Sequence, residues 1–269
     1  MYFETLELER NGPIATVWMN RPELHNAFNE TLIAELTRAF VVLDSDDSVR
    51  VVILAGRGPS FSAGADLTWM RRAADYSEEK NRADALALAR MLKTLYRMQK
   101  PTIARVHGPA YGGGTGLTAA CDMALAADSA MFALSEVRLG LIPATIGPYV
   151  ADAIGWRQAR RYFLSAERID AALARQLGLV HDICPASELD SRISKLVQEL
   201  CKGAPAAQAE AKLLLADLRD GSPLDDALLE KTAWQIARVR TQPEAREGLS
   251  AFMDKRPPNW LPARRGTPG

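Results

Sequence analysis

Cysteine and histidine are scarce, with three of each among 269 residues. Cys121, Cys184 and Cys201 have neither the paired spacing of a zinc site nor the density of a disulfide framework, so free thiols in a reducing compartment are expected. His25, His107 and His181 fall in no H-E-x-x-H motif and no recognisable triad, and no G-x-S-x-G elbow occurs. Metal-dependent chemistry and serine-type nucleophilic catalysis are therefore not expected. An excess of either charge is missing too. Lys plus Arg number 33, as do Asp plus Glu, which leaves no global field to hold nucleic acid or an anionic membrane. No run of about 18 apolar residues is present, and MYFETLELER lacks the basic-then-apolar order of a secretory signal. A soluble, cytoplasmic protein without nucleic-acid or membrane partners is expected.

What is present is the composition of a globular protein, 48% hydrophobic and 25% charged. Short apolar and β-branched runs at 5–9, 14–19 and 49–54, each near Pro, Gly, Asn or Asp, read as strands. Between the last two, Asn29 can cap a helix whose apolar positions, Leu32, Ile33, Leu36 and Phe40, recur on one face. A second helix is expected over 77–98, opened by Ser77, with Glu78 and Glu79 where a helix N-terminus favours negative charge. Further strands are expected at 102–106, 123–126, 131–134 and 179–183, with a helix at 117–121 and mainly helix from Trp156 onward. The Pro/Arg/Gly-rich end after Arg256 reads as loose. The fold class is α/β with a helical C-terminal region.

Two glycine-bearing turns follow strands: Phe61-Ser62-Ala63-Gly64-Ala65-Asp66-Leu67 and Tyr111-Gly112-Gly113-Gly114-Thr115-Gly116. Each is either a tight turn alone or one that leaves backbone N–H groups free at a strand-to-helix junction, where together they can hold an oxyanion. Gly114 to Ala119 also fits G-x-G-x-x-A. However, it opens after 100 residues rather than at the start of a nucleotide-binding half, which argues against a dinucleotide site. Glu136 lies in an apolar stretch, Phe132 to Val137, followed by Gly140-Leu141-Ile142-Pro143. Either it is buried, with a raised pKa suited to general acid-base work, or it is a solvated partner of Arg138.

In order along nearly the whole chain, Asn20-Arg21-Pro22 through Asn26-Ala27, Phe61 to Leu67, His107-Gly108 through Gly114, Ser135-Glu136 with Gly140 to Pro143, and Gly248 to Lys255 resemble motifs of the crotonase superfamily. The resemblance implies a spiral of ββα units over 1–200 that binds acyl-CoA, and a helical region over 201–269 for oligomerisation and active-site capping. It implies that Ala65 and Gly113 supply two oxyanion N–H groups and that Glu136 moves the proton. By the same resemblance Leu24, Ala27, Ala63, Asp66, Leu67, Gly112, Gly116 and Pro143 line the site for CoA and its acyl group. Phe252 and Lys255 would reach the CoA of a neighbouring subunit in a homotrimer or a homohexamer. The family's phosphate-binding lysine is Thr68 here, which leaves Arg71 or Arg72 to take its place. No cofactor is implied beyond the coenzyme A of the substrate.

One departure bears on the reaction. Two-carboxylate hydratases carry a glutamate where this chain has Gly116, so Glu136 stands alone. A Δ3,Δ2-enoyl-CoA isomerase also works with one glutamate at that place, and a non-catalytic CoA-thioester binder is a third reading. The segments 62–70, 135–150 and 159–164 look like those of bacterial 3-methylglutaconyl-CoA and isohexenylglutaconyl-CoA hydratases, which favours hydration of a branched glutaconyl thioester.

Overall fold

A computed structural model describes residues 2–219 and 224–261. The end beyond residue 261 lies outside the described residues. Two compact units are present, one of residues 1–98 and 102–195, the other of residues 99–101 and 196–269.

The first unit is built on a six-stranded sheet. The strands β1 (Leu6–Asn11) and β2 (Ile14–Met19) form an antiparallel hairpin. After β2 comes α1 (Glu30–Asp44), and then β3 (Val51–Gly56), which pairs parallel to β2 with Ile14 opposite Val51. Next are α2 (Leu67–Ala74), α3 (Glu78–Tyr96) and β4 (Thr102–Val106), followed by the two-residue strand β5 (Ala110–Tyr111) and α4 (Gly113–Ala120). β6 (Met123–Ala127) lies parallel to β4, and β7 (Met131–Ala133) follows it. The chain continues through α5 (Gly147–Ile154), α6 (Trp156–Ser165), β8 (Ile169–Asp170) and α7 (Ala171–Leu177) to β9 (Asp182–Cys184). The large sheet runs β1-β2-β3-β4-β6-β9, and a small one runs β5-β7-β8.

A parallel sheet covered on both faces reads as continuous apolar sequence, and every residue of β3 is buried accordingly. The α1 helix starts at Asn29, whose side-chain oxygen accepts from Leu32 N at 2.9 Å and satisfies one of the free first-turn donors. Its Leu32, Ile33, Leu36, Ala39, Phe40 and Leu43 are buried in the same core as Met91, Leu92 and Leu95 of α3. Each large apolar side chain so buried contributes about 1.5–3 kcal/mol. Replacing fully buried Leu36 by Ala would cost roughly 2–5 kcal/mol.

Several expected boundaries move. The first strand runs to Asn11, and the third begins at Val51 rather than at 49. The helix expected from Leu117 begins four residues earlier, at Gly113, so the second glycine turn is itself a helix start. The strand expected at 179–183 forms only at Asp182–Cys184. Leu179 is apolar because it is buried behind the end of α7, its N–H donating to Ala174 O at 2.9 Å. The α2 helix realises the strand-to-helix junction that was one of two readings of the first glycine turn, while the short strands β5 and β8 are not among the expected elements.

The second unit is helical. It takes in the latter part of α8 (Leu189–Lys202), then α9 (Pro205–Arg219), α10 (Asp226–Arg240) and α11 (Pro243–Met253). Among the described residues no helix is long and apolar enough to cross a membrane, and no group of three His, Cys, Asp or Glu is placed to hold a metal ion.

Candidate active site

The first glycine turn leaves β3 and is laced to the chain on both sides. Tyr111 N donates to Ser62 O at 2.8 Å and Ser62 N donates to Pro109 O at 3.2 Å, a short parallel bridge to β5. On the other side Phe28 N donates to Gly64 O at 2.6 Å, and Asp66 N donates to Phe28 O at 2.8 Å. Asp66 then caps α2, its carboxylate accepting from Thr68 N at 2.8 Å and Trp69 N at 3.3 Å. The same carboxylate pairs with Arg21 at 2.9 Å, and Arg21 also donates to Ala27 O. Burial works against the charge on Asp66, but Arg21 and the two N–H donors outweigh it and hold its carboxyl below the usual range. Asn20-Arg21-Pro22 through Ala27 is thereby stapled to the turn that carries Ala65.

The second turn is fixed by Gly112 N, which donates to Ala133 O at 2.8 Å on β7. Gly112 has φ +49°, a left-handed value that glycine adopts readily, and it turns the chain into α4. The first N–H groups of a helix have no acceptor within it, which leaves Gly113 N–H without a partner inside α4. Among the described residues no oxygen accepts from Gly113 N or from Ala65 N.

β7 ends at Ala133 and delivers Glu136 at the head of a single 3-10 turn, Glu136–Leu139, closed by Gly140 at φ +72°. The Glu136 carboxylate lies over Gly112, where a β-carbon would sit 3.1 Å from Oε1. Its Oε2 is buried without a hydrogen-bond partner among the described residues. Burial raises the Glu136 pKa, opposed only by a backbone hydrogen bond. Of the two readings open in the sequence, the solvated pair with Arg138 is therefore not the one the fold adopts. A half-buried carboxyl with a free oxygen, beside a helix start, is equipped to take and return a proton.

The remaining expected site residues divide. Ala27, Asp66, Gly112, Gly116 and Pro143 are buried, while Leu24, Ala63, Ala65, Leu67 and Arg71 are exposed. Of the two candidate phosphate-binding cations, Arg72 is engaged by Glu30 at 2.6 Å. Arg71 has no ion-pair partner among the described residues. Phe252 near the end of α11 and Lys255 just beyond it are both exposed in the second unit. Two residues outside the expected site set touch the site's glycines. Phe28 has its ring against Gly113, and Ile146 lies against Gly116. Both are apolar residues beside motifs, with no signal in type or spacing to mark them out.

The family model for enoyl-CoA hydratase/isomerase matches residues 9–262. The chain belongs to the enoyl-CoA hydratase/isomerase family. It is 35% identical over 249 residues to a candidate enoyl-CoA hydratase of Thermus thermophilus, covering 93% of this chain and 98% of that protein. The crotonyl-CoA hydratase of Syntrophomonas wolfei is 31% identical over 265 residues, covering 97% and 99%. Among solved structures, an enoyl-CoA hydratase from Shewanella pealeana superposes with a TM-score of 0.93 at 43% identity, covering 96% of each chain. The α/β fold with its helical C-terminal region is that of this family's solved members. Binding of an acyl-CoA substrate is in keeping with membership.

Proposed function

We propose that this family member is an enoyl-CoA hydratase acting on 3-methylglutaconyl-CoA or a related branched glutaconyl thioester. The observation that carries the reading is Glu136, proton-accepting, half-buried and with a free oxygen, set over Gly112 at the start of α4. In this reading Ala65 N–H and Gly113 N–H donate to the thioester oxygen. Glu136 takes a proton from water as the hydroxyl oxygen bonds to C3, and the electrons of the 2,3 double bond pass to the thioester oxygen. The same carboxyl then returns the proton to C2, so that one water has been added. Each preorganised donor of this kind is worth about 3–4 kcal/mol in the transition state. No cofactor takes part beyond the CoA of the substrate. Leu24, Ala27, Ala63, Asp66, Leu67, Gly116 and Pro143 line the bound thioester, and Arg71 meets the CoA phosphates. The working form is a cytoplasmic homotrimer or dimer of trimers, to which exposed Leu249, Phe252 and Met253 of α11 would contribute apolar surface.

A second reading, Δ3,Δ2-enoyl-CoA isomerisation, is favoured by one observation. Position 116 is glycine and is closely packed by Ile146, so Glu136 has no carboxylate partner there. Purified protein incubated separately with 3-methylglutaconyl-CoA, crotonyl-CoA and a 3-enoyl-CoA, with water addition and double-bond migration followed independently, decides between the two. Water addition fastest on the branched glutaconyl thioester is expected. Double-bond migration without hydration would establish the isomerase, and inactivity on all three a binding protein.

A further inference from the structure

The two proposed oxyanion donors come from separate turns, and one residue touches both. Phe28 brackets Ala65 with its backbone, donating to Gly64 O at 2.6 Å and accepting from Asp66 N at 2.8 Å. Because successive residues of an extended segment point to opposite sides, this leaves the N–H of Ala65 directed away from Phe28. The Phe28 ring, only 1% exposed, lies flush on Gly113. A β-carbon there would come within 2.7 Å of its Cδ2 and nearer still to its Cε2. Position 113 therefore has no room for a side chain while the ring is in place, and the ring packs beside the direct contact of the two turns, where Gly64 lies against Tyr111 and Gly112.

We propose that Phe28 is a positioning residue that sets the separation of the Ala65 and Gly113 N–H groups, and so how strongly the thioester carbonyl is polarised. The proposal rests on the reading of those two groups given above. Oxyanion donors act only within about 2.7–3.1 Å of the oxygen, and a displacement of about 1 Å costs on the order of 100-fold in rate. Close-packed interiors transmit such displacements, because a missing group is compensated only in part by relaxation of its neighbours. Shortening the ring would let the first turn of α4 settle toward the void while the backbone bridge to residues 64 and 66 stays in place. The acyl-CoA would bind much as before, with its carbonyl held less firmly.

The test compares wild type, Phe28→Leu and Phe40→Leu. The last removes the same atoms from α1, where Phe40 is fully buried in the core and plays no part in the proposed machinery. Butyryl-CoA carrying a 13C-labelled thioester carbonyl is bound to each, and its C=O stretch is followed by infrared difference spectroscopy. The steady-state kinetics of whichever reaction the wild type catalyses are measured alongside. In wild type the carbonyl band is expected to move to lower frequency on binding. In Phe28→Leu the movement should be clearly smaller, with kcat lowered by about 10-fold and KM by much less affected. Phe40→Leu should lower the melting temperature comparably while keeping the wild-type band and kcat. An unchanged band in Phe28→Leu would overturn the proposal, as would an equal loss in Phe40→Leu. A wild-type band that does not move although butyryl-CoA binds would instead remove the oxyanion reading itself, and Phe28's role with it. Should Phe28→Leu fail to fold, Phe28→Met, similar in volume to Leu but unbranched and better able to fill an irregular space, makes the same comparison.

Discussion

Ile146 occupies the space that any side chain at Gly116 would need. A β-carbon on Gly116 would lie 2.7 Å from Ile146 Cβ and nearer still to Cγ2, and Ile146 is only 2% exposed. Gly112, the cap residue of α4, accepts from Gly116 N at 3.1 Å, so Glu136 and Ile146 cover neighbouring parts of the helix start. The missing second carboxylate is thus more than one substitution away, since the packing around it is apolar as well.

Gly116→Glu on its own should therefore destabilise the protein by more than the roughly 1–3 kcal/mol typical of overpacking, because it also buries a carboxyl without a partner. Combined with Ile146→Ala it should cost less than the two single changes summed, since the second opens the space the first requires. Residues in contact show such coupling at about 0.5–3 kcal/mol, and a four-member thermal-denaturation cycle measures it. Strict additivity would mean that Ile146 is not what closes position 116.

Glu136→Gln should lower kcat by at least about 100-fold while leaving CoA-thioester affinity nearly unchanged, as expected for loss of a general acid-base group. It should also stabilise the fold at neutral pH. Burial raises the Glu136 pKa, so the folded state prefers the protonated carboxyl. That preference favours folding below the unfolded pKa and is lost as pH rises through the folded one. The gain from Gln is accordingly present at pH 7 and vanishes near pH 4, where both side chains are neutral. Chemical denaturation at the two pH values checks the sign, and equal stability of the two proteins at pH 7 would show that Glu136 carries no burial penalty.

Arg21 and Asp66 form a pair whose side chains are 13% and 10% exposed, and breaking it from one side leaves a charge with little solvent. Arg21→Ala should cost about 3–5 kcal/mol, while Arg21→Ala with Asp66→Asn should recover part of that loss. The lowered Asp66 pKa gives stability that is present above the unfolded value and is lost as pH falls through the folded one. Acid denaturation of Arg21→Ala should therefore begin at a higher pH than that of the wild type.

How far the sequence could be read depended on whether a feature was local. The β2 boundaries follow from a local apolar, β-branched run, and the Asn29 cap and the Ser77 start of α3 from side chains acting on nearby backbone, and all three are where pattern and capping chemistry place them. The start of α4 was not legible. Glycine is a poor helix former, so Gly113 to Gly116 reads as loop, and the Phe28 ring at Gly113, Ser62 at Gly114 and Ile146 at Gly116 explain why those three positions carry no side chain. Leu179 and Val180 read as strand from their apolar character, although their burial comes from the end of α7 rather than from a ladder. The burial of Glu136 was one of two readings, because nothing in one sequence tells how much of a carboxylate its distant neighbours will cover. Phe28 and Ile146 act entirely through contacts more than 25 residues away along the chain, for which a single sequence carries no signal.

Of the two adjacent arginines on α2, Arg71 is the one expected to meet the phosphates of a CoA thioester. Arg71 and Arg72 are adjacent on α2 and equivalent in sequence, but Arg72 is held by Glu30 through two contacts, at 2.6 and 2.9 Å. Adjacent helical residues lie about 100° apart around the axis, so the two guanidiniums do not serve the same face. A charge-assisted hydrogen bond to phosphate is worth about 1.5–3 kcal/mol, so Arg71→Ala should raise KM for a CoA thioester by about 10-fold or more with kcat little changed. Arg72→Ala should do much less, since what it loses is mainly an exposed ion pair worth up to about 1 kcal/mol of stability. A pantetheine thioester lacks the nucleotide phosphates and supplies the control. If Arg71 binds phosphate, the difference between wild type and Arg71→Ala disappears with that substrate and shrinks with added salt in the CoA assay. A KM effect that persists on the pantetheine thioester would mean that Arg71 acts on the turn around Ala65 rather than on the phosphates.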